Sequence, residues 1–135
     1  GYAKNLGMNF ALIDKRRYAH NKAQVSHLIG ELKNMDVLII DDMIDTAGTT
    51  VNAAKAAFEK GAKSVTAIAT HGILSGDAID KLNKSKIKKI IITDTIELLK
   101  NRKINNLEVV SVSKIFGEAV KRIHLGESVS ALFEF

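Results

Sequence analysis

The segment VLIIDDMIDTAGTT, residues 37–50, constrains this chain more than any other. Its first four residues are apolar without alternation, the pattern of a strand covered on both faces, as strands of a parallel sheet are. Acidic and small residues then interrupt the run. From residue 50 to 60, Val51, Ala54, Ala57 and Phe58 fall on one helical stripe, which Gly61 closes. Strand, loop and helix in that order make a βα unit, and parallel strands need such crossovers. Apolar runs at residues 10–13, 65–69, 90–92 and 109–112 supply further strands. Helices are expected at 76–83 and at 113–125, the second with Ser113 as N-cap, Phe116, Ala119, Val120 and Ile123 on its apolar face, and Gly126 as a stop. The expected fold class is α/β, three layers around a mostly parallel sheet.

A chain of 135 residues with no internal repeat or linker is expected to form one domain. Cysteine is absent, which excludes disulfides, thiolate metal sites and thiol nucleophiles, and makes the cytoplasm the expected compartment. The longest apolar runs fall far short of the roughly 20 residues that span a bilayer, and no signal peptide is recognisable, so no membrane partner is expected. The net charge of +5 is spread over scattered lysines, with clusters at 15–17 and 84–89. Few aromatic residues interleave with them, so a solvated basic surface is expected and not a nucleic-acid partner. Residues 15–29 are polar and longer than an ordinary βα connection, which fits a mobile functional loop or an irregular connection containing helix.

The chemistry concentrates after the strand. Residues 45–49 are small or hydroxyl-bearing, so backbone amides there can wrap a phosphate while Thr46 and Thr49 add hydroxyl donors and Gly48 permits the turn. A helix N-terminus follows at once, adding unpaired N–H groups and the positive end of a dipole. Asp41 and Asp42 would repel a bare phosphate but accept hydrogen bonds from vicinal sugar hydroxyls. A sugar phosphate satisfies both ends. The plainer alternative is that the aspartates end a strand and Thr49 caps a helix. Neither the Walker lysine pattern nor the dinucleotide glycine pattern occurs, and His71 and His124 read as packing or turn residues.

The same segment resembles the ribose 5-phosphate loop of the ribose-phosphate diphosphokinases, a variant of the phosphoribosyltransferase signature. IDKRR at 13–17 is similar to the start of that family's catalytic flexible loop, ATHGILSG at 69–76 to its next βα turn, and GESVSALF at 126–133 to its tail. The resemblance implies a carboxy-terminal phosphoribosyltransferase-like domain of type I. It puts Asp41 and Asp42 on the ribose hydroxyls, and Asp45, Thr46, Ala47, Gly48 and Thr49 on the 5-phosphate. It matches Lys15 and Arg17 to the catalytic lysine and arginine, with Arg16 facing solvent. Ser128, Ser130 and Phe133 match a regulatory phosphate or nucleotide site between subunits.

Such enzymes join ATP to ribose 5-phosphate, the anomeric hydroxyl attacking the β-phosphorus to give phosphoribosyl diphosphate and AMP. The resemblance implies Mg2+ held mainly by ATP, and homodimers assembling into hexamers. GYAKNLG at 1–7 resembles a helix midway through the full-length proteins, which implies that a preceding half, with the adenine pocket and metal-side residues, is missing. The chain alone is then expected not to turn over. YAH at 18–20 departs from the proline-containing sequence of many relatives, so loop closure is expected to differ. A phosphoribosyltransferase and a catalytically inactive regulatory subunit are the alternatives.

Overall fold

In the computed structural model, residues 2–16, 25–98 and 103–133 are described. Four parallel strands run side by side in chain order: β3 (Asp36–Ile44), β4 (Ser64–Gly72), β5 (Lys89–Thr93) and β6 (Leu107–Val110). Their elements precede and separate them as α1 (Tyr2–Asn5), β1 (Leu12–Arg16), β2 (Val25–Ile29), α2 (Gly48–Glu59), α3 (Ala78–Lys84) and α4 (Ser113–Leu125), with a 3-10 turn at Ser130–Phe133. The α/β class with a parallel sheet is as expected.

Alternation along each strand decides what the sheet buries. Val65, Ala67 and Ala69 of β4 and Ile90 and Ile92 of β5 turn to one face and pack with Ala54 and Ala57 of α2 and Ala78 and Leu82 of α3. Alanine at so many of these positions lets α2 lie close to the strands. The opposite face of β3, carrying Leu38, Ile40 and Asp42, looks across an open cleft of about 1030 Å³ toward Ala3, Leu6 and Phe10. Among the described residues, the segment around α1 borders the cleft on that side. No residue of α4 is buried, and Phe116, Val120 and Ile123 lie exposed on it.

Gly72 ends β4 where only glycine fits, because a Cβ there would run into the Ile92 side chain. The adjacent registers, Ile44 beside Gly72 and Met43 beside His71, bring the ends of β3 and β4 level. All four strands being parallel, the connections after them collect at one edge of the sheet.

Three expectations change. The run at 10–13 is not a strand of the parallel sheet: β1 begins at Leu12 and pairs antiparallel with β2, Leu12 opposite Ile29 and Arg16 opposite Val25, and Phe10 is 72% exposed. A short apolar run carries no information about its partner, and here the partner follows it in sequence. The supposed loop at 15–29 is therefore ribbon at both ends, while residues 17–24, Arg17 included, lie outside the described residues. Ser113 does not cap α4. The cap residue is Val112, without a side-chain bond of its own, and its amide donates to Asp94 Oδ1 at 2.9 Å while that of Ser113 reaches Ser111 Oγ at 3.3 Å.

Candidate anion-binding site

The connection from β3 to α2 is three residues long, so the chain must reverse sharply. The left-handed conformation this demands falls on Ala47 (φ 59°, ψ 0°) and not on Gly48 as the sequence suggested. Gly48 has a different use. A Cβ added to it would meet nothing nearer than Thr46 Oγ1 at 3.9 Å, so the missing side chain leaves open space in front of the loop. The first α-helical bond of α2 runs from Val51 N–H to Ala47 O at 2.9 Å. No side chain caps the helix, so Thr49 is not the cap that the plainer reading supposed. A protein cap is worth about 1 kcal/mol to a helix; here the amides of Gly48, Thr49 and Thr50 are left to another acceptor.

Behind the loop, three consecutive carbonyls are held by the connection after β4 and by α3. Ile44 O accepts from Leu74 N–H at 3.0 Å and Asp45 O from Ser75 N–H at 3.1 Å, and Thr46 O accepts from Lys81 Nζ at 3.3 Å. A trans peptide is planar, with its N–H directed opposite to its C=O. Holding these oxygens back therefore turns the amides of Asp45, Thr46 and Ala47 the other way. The Ser75 hydroxyl also donates to Asp45 Oδ1, which keeps that carboxylate on the rear side. Leu74 makes its bond from a left-handed conformation of its own (φ 54°) with its side chain buried, a disfavoured backbone state maintained by its surroundings.

Asp41 and Asp42 line the cleft beside Thr70. Each has one oxygen engaged locally, Asp41 Oδ1 by the Asp42 amide at 3.0 Å and Asp42 Oδ1 by the Met43 amide at 2.8 Å. Hydrogen bonding accounts for His71 as well: its Nδ1 lies 2.9 Å from Thr95 Oγ1. The structure thus gathers residues 41–49 at one sheet edge. Lys15 has its backbone in β1 opposite Ser26. Ser128 and Ser130 are exposed in the tail beyond α4, where Ser128 O accepts from Arg122 Nη1 at 3.1 Å and Ser130 N–H donates to Ser128 Oγ at 3.1 Å; Phe133 is exposed too. Sequence reasoning missed Leu74, Ser75 and Lys81 as parts of the site, since their bonds are to backbone oxygens 30 or more residues away, and nothing in their residue types announces that.

An α/β domain that turns a run of loop and helix-start amides toward open space, beside paired acids at the carboxyl edge of its sheet, has the features of domains that bind phosphorylated small molecules. Residues 11–134 match the family described as Phosphoribosyl synthetase-associated domain, and the chain belongs to that family. It is 49% identical over 132 residues to a ribose-phosphate pyrophosphokinase of Caldanaerobacter subterraneus subsp. tengcongensis, covering 98% of this chain and 42% of that protein. Identity is also 49%, over 133 residues, to a ribose-phosphate pyrophosphokinase of Chlorobaculum tepidum, with 98% and 41% covered. Among solved structures, the phosphoribosylpyrophosphate synthetase from Mycobacterium smegmatis superposes with a TM-score of 0.84 at 29% identity, over 93% of this chain and 40% of that one. The chain therefore spans about two-fifths of the length of these relatives.

Proposed function

We propose that this chain forms the ribose 5-phosphate-binding part of a ribose-phosphate pyrophosphokinase, the activity its relatives are named for. One observation carries the reading: the carbonyls of residues 44–46 are all tied back, so consecutive amides converge with the uncapped start of α2 on one open space. The 5-phosphate sits there, against the amides of residues 45–50 and the hydroxyls of Thr46 and Thr49. Asp41 and Asp42 accept the hydrogen bonds of the ribose diol, which requires carboxylates and not cations.

With the phosphate and diol fixed, the anomeric hydroxyl has one orientation. Its oxygen attacks the β-phosphorus of ATP, the bond from that phosphorus to the α,β-bridging oxygen breaks, the hydroxyl proton is lost, and AMP departs with the bridging oxygen. Alignment and stabilisation of the phosphoryl oxygens carry most of such a reaction. Lys15 and Arg17 supply fixed positive charge for the transferred group. Mg2+ is held mainly by the ATP phosphates and by other parts of the longer protein. No helix among the described residues is long and apolar enough to cross a membrane. A cytoplasmic location, assembly of dimers into hexamers, and a regulatory role for Ser128, Ser130 and Phe133 are parts of the same reading.

Titration of the 15N-labelled chain with ribose 5-phosphate tests it. Saturable shifts centred on the amides of residues 45–50 are expected, with no AMP released when ATP and Mg2+ are added to the chain alone. Shifts centred elsewhere, with those amides unmoved, would refute the site.

A further inference from the structure

Of the three bonds that hold the loop's carbonyls from behind, two are backbone to backbone and available to any sequence. The third depends on residue type: Lys81 Nζ reaches Thr46 O at 3.3 Å across a separation of 35 residues. Lys81 stands on α3, whose neighbouring Ala78 and Leu82 are buried, so the base of its side chain is fixed while the amine remains at the surface. The same Nζ lies 2.7 Å from Asp77 Oδ1, one turn earlier. A lysine paired with Asp77 alone would be satisfied pointing into solvent. Here it spends a second of its three donors on the phosphate loop.

We infer that Lys81 is a positioning residue for the anion site, one that acts by fixing the peptide between Thr46 and Ala47; this rests on the reading of the loop as the 5-phosphate site. Rotating that peptide moves its C=O and N–H together. By drawing the oxygen back, Lys81 throws the Ala47 N–H forward, and it does so at the entry to a left-handed alanine, a conformation alanine resists. The ammonium also adds positive charge behind the anion, partly offset by Asp77. Its contribution is to the phosphate end of the ligand and not to the sugar end, where Asp41 and Asp42 act.

The test compares the chain with Lys81→Met, which keeps the apolar stem but loses donor and charge, and Lys81→Arg, which keeps both. Inorganic phosphate and ribose 5-phosphate are the probes, with amide shifts as the readout. Lys81→Met is expected to weaken both probes by one common factor of about five- to tenfold, the scale of an ordinary hydrogen bond, as suits a 3.3 Å bond at the surface. Its unliganded spectrum should change most at Ala47, and Lys81→Arg should recover affinity to within about twofold. Unchanged affinity in Lys81→Met overturns the inference, as does a loss confined to ribose 5-phosphate or an arginine variant no better than methionine. A wild-type chain whose 45–50 amides respond to neither probe defeats the site reading and this inference with it, an outcome distinct from binding that ignores Lys81.

Discussion

Replacing Gly72 with alanine tests how the fold sets the position of the site. A Cβ on residue 72 would overlap Ile92 Cδ1 and stand 3.3 Å from Cγ2 and 3.4 Å from Cβ of the same side chain. Carbon atoms prefer about 3.5–4.0 Å, and Ile92 is fully buried, so its methyl cannot swing into solvent. Overpacking of this kind costs about 1–3 kcal/mol. Alanine's smaller unfolded-state entropy returns roughly 0.5–1 kcal/mol, leaving Gly72→Ala destabilised by about 1–2 kcal/mol, or about 4–8 °C in Tm for a chain of this size. Removing the offending methyl by Ile92→Val costs about 0.5–1.5 kcal/mol by itself. In the double variant the clash is largely gone, so urea unfolding should show a loss smaller than the sum of the single losses by about 1 kcal/mol. Strict additivity would refute the clash. Because Leu74, two residues on, bonds to Ile44 O, the single variant should also shift the amides of residues 45–47.

Other substitutions probe the site and the pH response. Asp41→Ala should weaken ribose 5-phosphate by about 1–3 kcal/mol and leave inorganic phosphate unaffected in calorimetry; equal losses would move the diol elsewhere. Ala47→Val puts a β-branched residue at φ 59° in a buried position and should cost about 2 kcal/mol of stability; a urea midpoint equal to wild type would contradict it. Hydrogen bonds from the Ser111 hydroxyl and the Val112 amide hold the Asp94 carboxyl below its ordinary 3.8, and Ser64 and Lys81 do the same for Asp36 and Asp77. A depressed folded-state value means stability that is present above the unfolded value and lost as pH falls through the folded one. Urea midpoints should therefore be level above about pH 5 and fall below about pH 4, less steeply in Asp94→Asn; a midpoint that holds at lower pH would show these bonds to be without effect.

Much of the βα frame was legible because the apolar runs at 37–40 and 65–69 are followed by acids or glycines, and those signals are local. The helix after the loop was read at 50–60 and forms at Gly48–Glu59, a small error because the stripe Val51, Ala54, Ala57 and Phe58 fixes its face. The run at 10–13 misled, since four apolar residues cannot say whether their partner is a distant parallel strand or the next strand of a ribbon. Assigning the turn to Gly48 failed for a different reason. A glycine is permitted to adopt a left-handed conformation, but the geometry of a three-residue connection decides which residue must, and it chose Ala47. The Lys81 bond and the paired carbonyls could not be read at all: a donor to a backbone oxygen leaves no trace in the acceptor's residue type.

The loop carries an apparent contradiction, three carboxylates at positions 41, 42 and 45 within a segment proposed to hold a dianion, and it resolves on directions and magnitudes. Asp45 is bonded to the Ser75 hydroxyl, on the side toward which the carbonyls of residues 44–46 are drawn and away from the proposed anion. Asp42 faces the cleft and Asp41 borders it at the end of β3; across the length of a ribose ring, in a water-like dielectric screened by salt, each repels a doubly charged phosphate by only about 1 kcal/mol. Against this stand amides bonded to a charged acceptor, about 1.5–3 kcal/mol each, and the dipole of α2, about 0.3–1 kcal/mol. One phosphate at the amides is therefore favoured. A second anionic group set directly on the aspartates would meet their repulsion with no amides to compensate, whereas neutral hydroxyls there gain charge-assisted bonds. On the proposed reading the acids leave the strength of phosphate binding to the backbone and select what is attached to the phosphate, a sign pattern that suits a sugar monophosphate better than a polyanion.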